Sequence, residues 1–139
     1  MAYQAKQIYV NLPVKDLQKS MEFFTRLGFT FDPNFTDDKA GCLVIGDNIY
    51  AMLISEPLFR TFTKKEITDA AKTTEVIVAL SANSKEEVDE LVQKALEAGG
   101  SFSNDVVDHG FMYYGSFQDL DNHMWEILYM DPNAAQQTE

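Results

Sequence analysis

A short stretch of this chain occurs twice. Asp47-Asn48-Ile49-Tyr50-Ala51-Met52-Leu53-Ile54 and Asp121-Asn122-His123-Met124-Trp125-Glu126-Ile127-Leu128 each place an Asp-Asn turn signal ahead of a run of mainly apolar, strand-like residues. The copies diverge inside the strand, where Met52 in one answers to Glu126 in the other. A carboxylate in an apolar strand is costly to bury unless it is paired, protonated or bound to a metal. Glu126 is therefore the most informative single residue.

The flanks of the repeat also match. From Gln7 to Val14 the chain alternates, with Ile8, Val10, Leu12 and Val14 on one face and Tyr9, Asn11 and Pro13 on the other, which predicts a strand. Asp16 is placed to cap a helix whose apolar stripe is Leu17, Met21, Phe24 and Leu27, with Phe23 beside it, and Gly28 stops it. A short strand over 29–31, a polar loop over 32–40 and a hairpin of 42–45 with 49–54 complete the first module, residues 6–55. After a linker, 56–72, in which Thr63 is placed to cap a short helix, the order recurs in a second module, 73–130. Its strand over 73–80 carries Val76, Val78 and Leu80 on one face and Glu75, Ile77 and Ala79 on the other. Ser84 and Glu87 form a capping box for a helix with Val88, Leu91, Val92 and Leu96 as its stripe, ended by Gly99-Gly100. Strands over 101–107, 111–117 and 124–130 follow, then a polar tail, 131–139. The fold class is α+β, one domain of two β-α-β-β-β modules.

Composition narrows the partners. The net charge of -11 argues against nucleic acid and against an anionic membrane surface, both of which call for basic residues. Cys42 is the only cysteine, so no disulfide can form within the chain, and a reducing cytoplasmic setting is the expectation. No run of apolar residues is long enough to span a bilayer.

Val14-Lys15-Asp16-Leu17 with Ser20, Phe23-Phe24 and Leu27-Gly28-Phe29 resembles the opening module of the vicinal oxygen chelate superfamily. Gly115-Ser116-Phe117-Gln118-Asp119-Leu120-Asp121-Asn122-His123-Met124-Trp125-Glu126 resembles the close of its second module. The superfamily includes glyoxalase I, bleomycin-resistance proteins, fosfomycin-modifying enzymes and extradiol dioxygenases. The resemblance covers about residues 6–130 and implies modules packed into half-open mixed-sheet barrels, commonly as a homodimer.

In the family's metalloenzymes, a His from the first strand of a module and a Glu from the last strand hold a divalent ion. By this resemblance the His positions hold Tyr9 and Ile77, with Glu75 close by on the face of Ile77. The first Glu position holds Met52, and Glu126 alone matches. A phenol and a thioether are poor ligands for such ions. No cofactor is expected. A divalent metal stays open, with Glu126 as its one matching ligand and no complete site.

Strand parity selects the same residues. If the regular apolar faces lie under the helices, then Tyr9, Asn11, Tyr50, Met52, Glu75, Ile77, Met124 and Glu126 line the other face, joined by one or both of Tyr113 and Tyr114. Aromatic and thioether groups with a few polar atoms suit a small-molecule pocket. Glu126 could instead be a structural carboxylate bonded to Asn11, Tyr9 or a residue of a partner chain. Glu75 could be a solvated strand-end charge. His109 reads as a solvent-facing loop residue and His123 as lying on the parity of Trp125. Asp119-Leu120-Asp121-Asn122 resembles a calcium-loop fragment too short to hold the ion. No nucleophile motif or phosphate-binding glycine loop is present. The reading is a protein that binds a small, partly apolar molecule, or a divergent lyase using Glu126 as base. The alternative is a metal-dependent lactoylglutathione lyase-like or extradiol dioxygenase-like enzyme.

Overall fold

The computed structural model describes residues 2–135, and the chain divides into two compact units that meet in sequence between Ile67 and Thr68. The first unit runs β1 (Ile8–Val14), α1 (Leu17–Arg26), β2 (Thr30–Phe31), β3 (Ala40–Gly46), β4 (Ile49–Ser55) and α2 (Glu56–Phe59). The second runs β5 (Ile77–Ser81), α3 (Lys85–Glu97), β6 (Ser101–Phe102), β7 (Val107–Asp108), β8 (Met112–Gln118), β9 (Met124–Met130) and α4 (Pro132–Ala135). The fold is α+β with two mixed sheets.

The two sheets follow one plan. The first has the order β1-β4-β3-β2 and the second β5-β9-β8-β6, with β7 also paired to β8. In each, the module's first strand lies parallel to its last, β1 on β4 and β5 on β9. Asn48 and Asn122, the second residues of the repeated turn, both adopt left-handed backbone, at φ 63° and 64°. Asparagine tolerates that region better than most residues, which is why the Asp-Asn signal was readable.

Each sheet has one face under a helix. Helix α1 starts where Asp16 accepts from the Lys19 amide at 3.1 Å, and it buries Leu17, Ser20, Phe23 and Phe24. Across from it, Leu12, Val14, Leu43, Ala51 and Leu53 are buried. Helix α3 starts with the Ser84 hydroxyl accepting from the Glu87 amide at 3.0 Å, while Glu87 reaches back to the Asn83 amide at 2.8 Å. Beneath it lie Trp125, Ile127 and Phe117, all buried. Gly41 and Gly115 hold equivalent places, paired with Leu53 and Ile127. A methyl group on Gly41 would meet the Met21 sulfur at 3.2 Å, and one on Gly115 would meet Val92 Cγ2 at 3.1 Å. In both modules the absent side chain lets the helix settle on the sheet.

Several boundaries differ from the sequence reading. The strand expected over 73–80 begins only at Ile77, because 68–76 runs as turns and open chain. The strand expected over 101–107 is two short pieces, β6 and β7, separated by a loop. Ala95 rather than Leu96 completes the buried stripe of α3, and Leu96 is exposed. Thr63 accepts from the Lys65 amide at 3.1 Å, yet no helix follows it; the linker's helix is α2 instead. Of the polar tail, 132–135 forms α4, and 136–139 lie outside the described residues.

Candidate functional site

Glu126 sits on β9, an interior strand of the second sheet, opposite Ala79 on β5 and Ser116 on β8. Its neighbours along the strand, Trp125 and Ile127, are buried beneath α3, so alternation turns Glu126 to the opposite face. The residue is half-buried, and among the described residues nothing hydrogen-bonds or ion-pairs with its carboxylate. On the same face its strand carries Met124 and Leu128, and register adds Ile77 and Gln118 beside Met124, and Tyr114 beside Leu128. Ser116 is buried there, and its hydroxyl accepts from the Asn104 amide at 3.1 Å.

The turn that delivers β9 is built on Asp119. One carboxylate oxygen accepts from the amides of Asp121 at 2.9 Å and His123 at 3.0 Å, and the other accepts from the Trp125 indole at 2.9 Å. The segment that looked like a calcium-loop fragment is thus a turn organised around its own carboxylate. Burial pushes the Asp119 carboxyl above the usual range, against the opposing pull of His123 and the three donors.

Tyr113 and Tyr114 part company. The Tyr113 hydroxyl donates to Asp89 on α3 at 2.6 Å, which fixes Tyr113 on the helix side and removes it from the face of Glu126. That hydrogen bond, with burial and the Asp89 charge behind it, pushes the Tyr113 phenol up to about 12. Asp108, whose register partner is Tyr113, meets Lys85 at 3.6 Å on that same side, and its carboxyl is held low chiefly by the Gly110 amide. Val107 pairs with Tyr114, so alternation along β7 returns His109 to the face of Glu126. The His109 ring lies 6.3 Å from Phe111, nearly parallel, and 6.4 Å from Tyr114. His109 is exposed, as its loop position suggests, but it shares a face with the carboxylate. Two-residue β7 leaves too short an alternation for the sequence to have marked it. Glu75 falls outside β5, in a bend two residues before it, and is exposed. It takes no part in the strand face on which the sequence reading placed it.

In the first unit the face opposite α1 carries Tyr9 beside Tyr50 and Asn11 beside Met52. The two tyrosine rings stack with centroids 5.0 Å apart and planes 13° from parallel. Met52 occupies in β4 the place of Glu126 in β9. On this face Ile54 and Cys42, the latter the register partner of Met52, are buried. Burial raises the Cys42 thiol, consistent with a packing residue rather than a reactive one. A shallow groove of about 360 Å³ lies elsewhere, along Gln18, Met21, Glu22, Thr25 and Arg26 of α1.

At the positions that the family resemblance gives to metal ligands, Glu126 alone carries a ligand of the family's type. Tyr9, Met52 and Ile77 offer a phenol, a thioether and no donor atom. Among the described residues no three His, Cys, Asp or Glu side chains gather at one point.

Two successive β-α-β-β-β units, each closing its first strand against its last, define a paired-module α+β protein. The chain belongs to the glyoxalase/bleomycin resistance protein/dioxygenase superfamily, whose family model matches residues 6–127. It is similar to hypothetical protein SA1046 from S. aureus, with 31% identity and a TM-score of 0.77 over 91% of this chain and 95% of that one. It also shares its fold with a family enzyme from Burkholderia phytofirmans, at 17% identity and TM-score 0.74 over 88% of this chain and 97% of that one. The fosfomycin resistance protein FosX from Listeria monocytogenes is similar at 20% identity and TM-score 0.65, over 94% of each chain. No curated protein matches the sequence significantly.

Proposed function

We propose that this protein binds a small, partly apolar molecule on the face that carries Glu126, as a family member without a complete metal triad. The observation that carries the reading is the state of Glu126. A half-buried carboxylate on an interior strand, flanked by Met124 and Leu128 and left without a partner in the described chain, is open to a charged or hydrogen-bonding group of a ligand. Tyr114, Ile77 and Met124 supply apolar and aromatic contact around it, and Tyr9, Asn11, Tyr50 and Met52 supply the corresponding face of the first module. Family membership supports a homodimer acting on small molecules, and the fosfomycin-resistance relative supports a resistance-type role.

A second reading rests on the same free carboxylate. An unpartnered Glu can take a proton from a bound substrate, which would make the protein a divergent lyase. Either way Glu126 contacts the ligand.

Glu126→Gln keeps the shape and removes the charge. A thermal-shift screen of small molecules against both proteins should find ligands that stabilise the wild type and fail to stabilise the variant. Ligand response that survives the substitution, with stability moved by about 1–3 kcal/mol, would make Glu126 structural only.

A further inference from the structure

We propose that the Ser116 hydroxyl is a second contact of the bound molecule, donating beside the accepting carboxylate of Glu126, and that the pair selects an apolar molecule with a neutral amide edge, as in a carboxamide, lactam or ureide. The inference rests on the reading of the Glu126 face as the binding face and names the polar group that face takes.

Register makes the two residues direct neighbours. Ser116 on β8 is paired with Glu126 on β9. Side chains paired across antiparallel strands stand on one face, with Cβ atoms about 4.5–5.5 Å apart. The residue before Ser116 fixes which face, because a methyl group on Gly115 would meet Val92 and Val88 of α3. On the other side of β9 the partner of Glu126 is Ala79, which is exposed and has no polar side-chain atom. The nearby Gln118 amide is already occupied. Its Nε2 donates to the Phe102 carbonyl at 3.0 Å, and its Oε1 accepts from Asn122 at 3.4 Å.

Ser116 is only 5% exposed, yet its hydrogen bonding is half used. The oxygen accepts from the Asn104 amide at 3.1 Å, and among the described residues the hydroxyl proton has no acceptor. A hydroxyl has one proton to give, and a donor left unused at such depth is costly. The Glu126 carboxylate opposite is likewise unpartnered. A donor and an acceptor therefore stand side by side, both unspent. An amide edge meets both, its C=O taking the Ser116 proton and its N–H giving to Glu126. A ligand carboxylate would offer only acceptors and would be repelled by Glu126. A ligand ammonium would offer only donors and leave the Ser116 proton unused. Ile77 and Met124 at one end of the face, and Leu128 at the other, suit an apolar body attached to that edge.

The test uses three neutral probes of similar size. Benzamide carries both C=O and N–H, acetophenone the C=O alone and aniline the N–H alone. Binding is followed by NMR titration of the whole protein at neutral pH. The wild type should bind benzamide in preference to both others. Ser116→Ala should weaken benzamide and acetophenone about three- to tenfold and leave aniline unchanged. Glu126→Met, which installs the residue found at position 52, should weaken benzamide and aniline and leave acetophenone unchanged. Ser116→Ala weakening all three probes alike, or none, while Glu126→Met acts as expected, would overturn the Ser116 contact alone. Benzamide and aniline both untouched by Glu126→Met would overturn the reading of the face itself. Should Ser116→Ala fail to fold, the wild type decides: benzamide bound no better than aniline would overturn the proposal, and a clear preference for benzamide would support it. Absence of any benzamide binding at millimolar concentration would also overturn it.

Discussion

The Trp125 indole donates to Asp119 across 2.9 Å inside the second unit, joining the turn that precedes β9 to the largest buried side chain on that strand. Glu126 is the next residue, so this bond helps fix the strand from which the carboxylate projects. The Asp119 carboxyl titrates above its ordinary 3.8 because it is buried. The folded chain therefore holds this proton more tightly than the unfolded chain does. The contribution of Asp119 to stability is greatest below that ordinary value and declines as pH rises through the raised one. Asp119→Asn would turn its NH2 toward either the indole N–H or the two backbone amides, leaving a donor facing a donor in either orientation. A loss of about 1–3 kcal/mol is expected, together with loss of this part of the acid-range pH dependence. Urea unfolding of both proteins at a series of acidic pH values would show it.

Tyr113 should ionise late. With its phenol pushed to about 12 against an ordinary 10, the protonated form is favoured in the folded state. Its stabilising contribution is present below pH 10 and is lost as pH rises from 10 toward 12. Ultraviolet titration of tyrosinate should show one late component in the wild type, shifted to lower pH by Asp89→Asn. A titration indifferent to Asp89 would separate the two residues in solution.

Metal content follows from the side chains at the family's ligand positions. With Tyr9, Met52 and Ile77 there, the purified protein should carry far less than one Zn, Ni, Mn or Fe per chain, and chelator should leave its melting temperature unchanged. One tightly held ion per chain, lost with Glu126→Ala, would instead favour the metal-dependent lyase or dioxygenase.

Association is expected from the sheet edges. Strands β1 and β5 each stand at the end of a sheet, and Ile8, Tyr9 and Ile77 on them are about half exposed. Apolar edges of this kind seek a partner. Light scattering at micromolar concentration should give a dimer, and Ile8→Lys, a charge on such an edge, should shift it toward monomer. A wild-type monomer under those conditions would count against the homodimer.

The repeated Asp-Asn turns, the alternation of β1 and the capping residues Asp16 and Ser84 were legible because each is a local signal with a single structural outcome. Parity placed Glu126 opposite α3 for the same reason, since Trp125 and Ile127 leave it one direction. Tyr113 and Tyr114 were not separable in advance: both are aromatic, and only the hydrogen bond to Asp89 shows which one faces the helix. Glu75 was misplaced because a strand's start depends on pairing with β9, and that pairing begins only at Ile77 and Met124. His109 was set aside as a loop residue because two-residue β7 is too short to leave a periodic trace. Gly41 and Gly115 passed unnoticed because a missing side chain signals nothing until the helix above it is known.

Those two glycines have a bearing on how such a chain can change. They sit at matching points where helix meets sheet, and each shares its strand with a neighbour, Cys42 or Ser116, that faces the other way. The side of each central strand under α1 or α3 carries residues buried against the helix, while Met52 and Glu126 stand half-buried on the other side. They are two different words written at the same address of a duplicated text. Exchanging them, Met52→Glu with Glu126→Met, would move the charge between modules and leave the helix-side packing of both unread and unaltered.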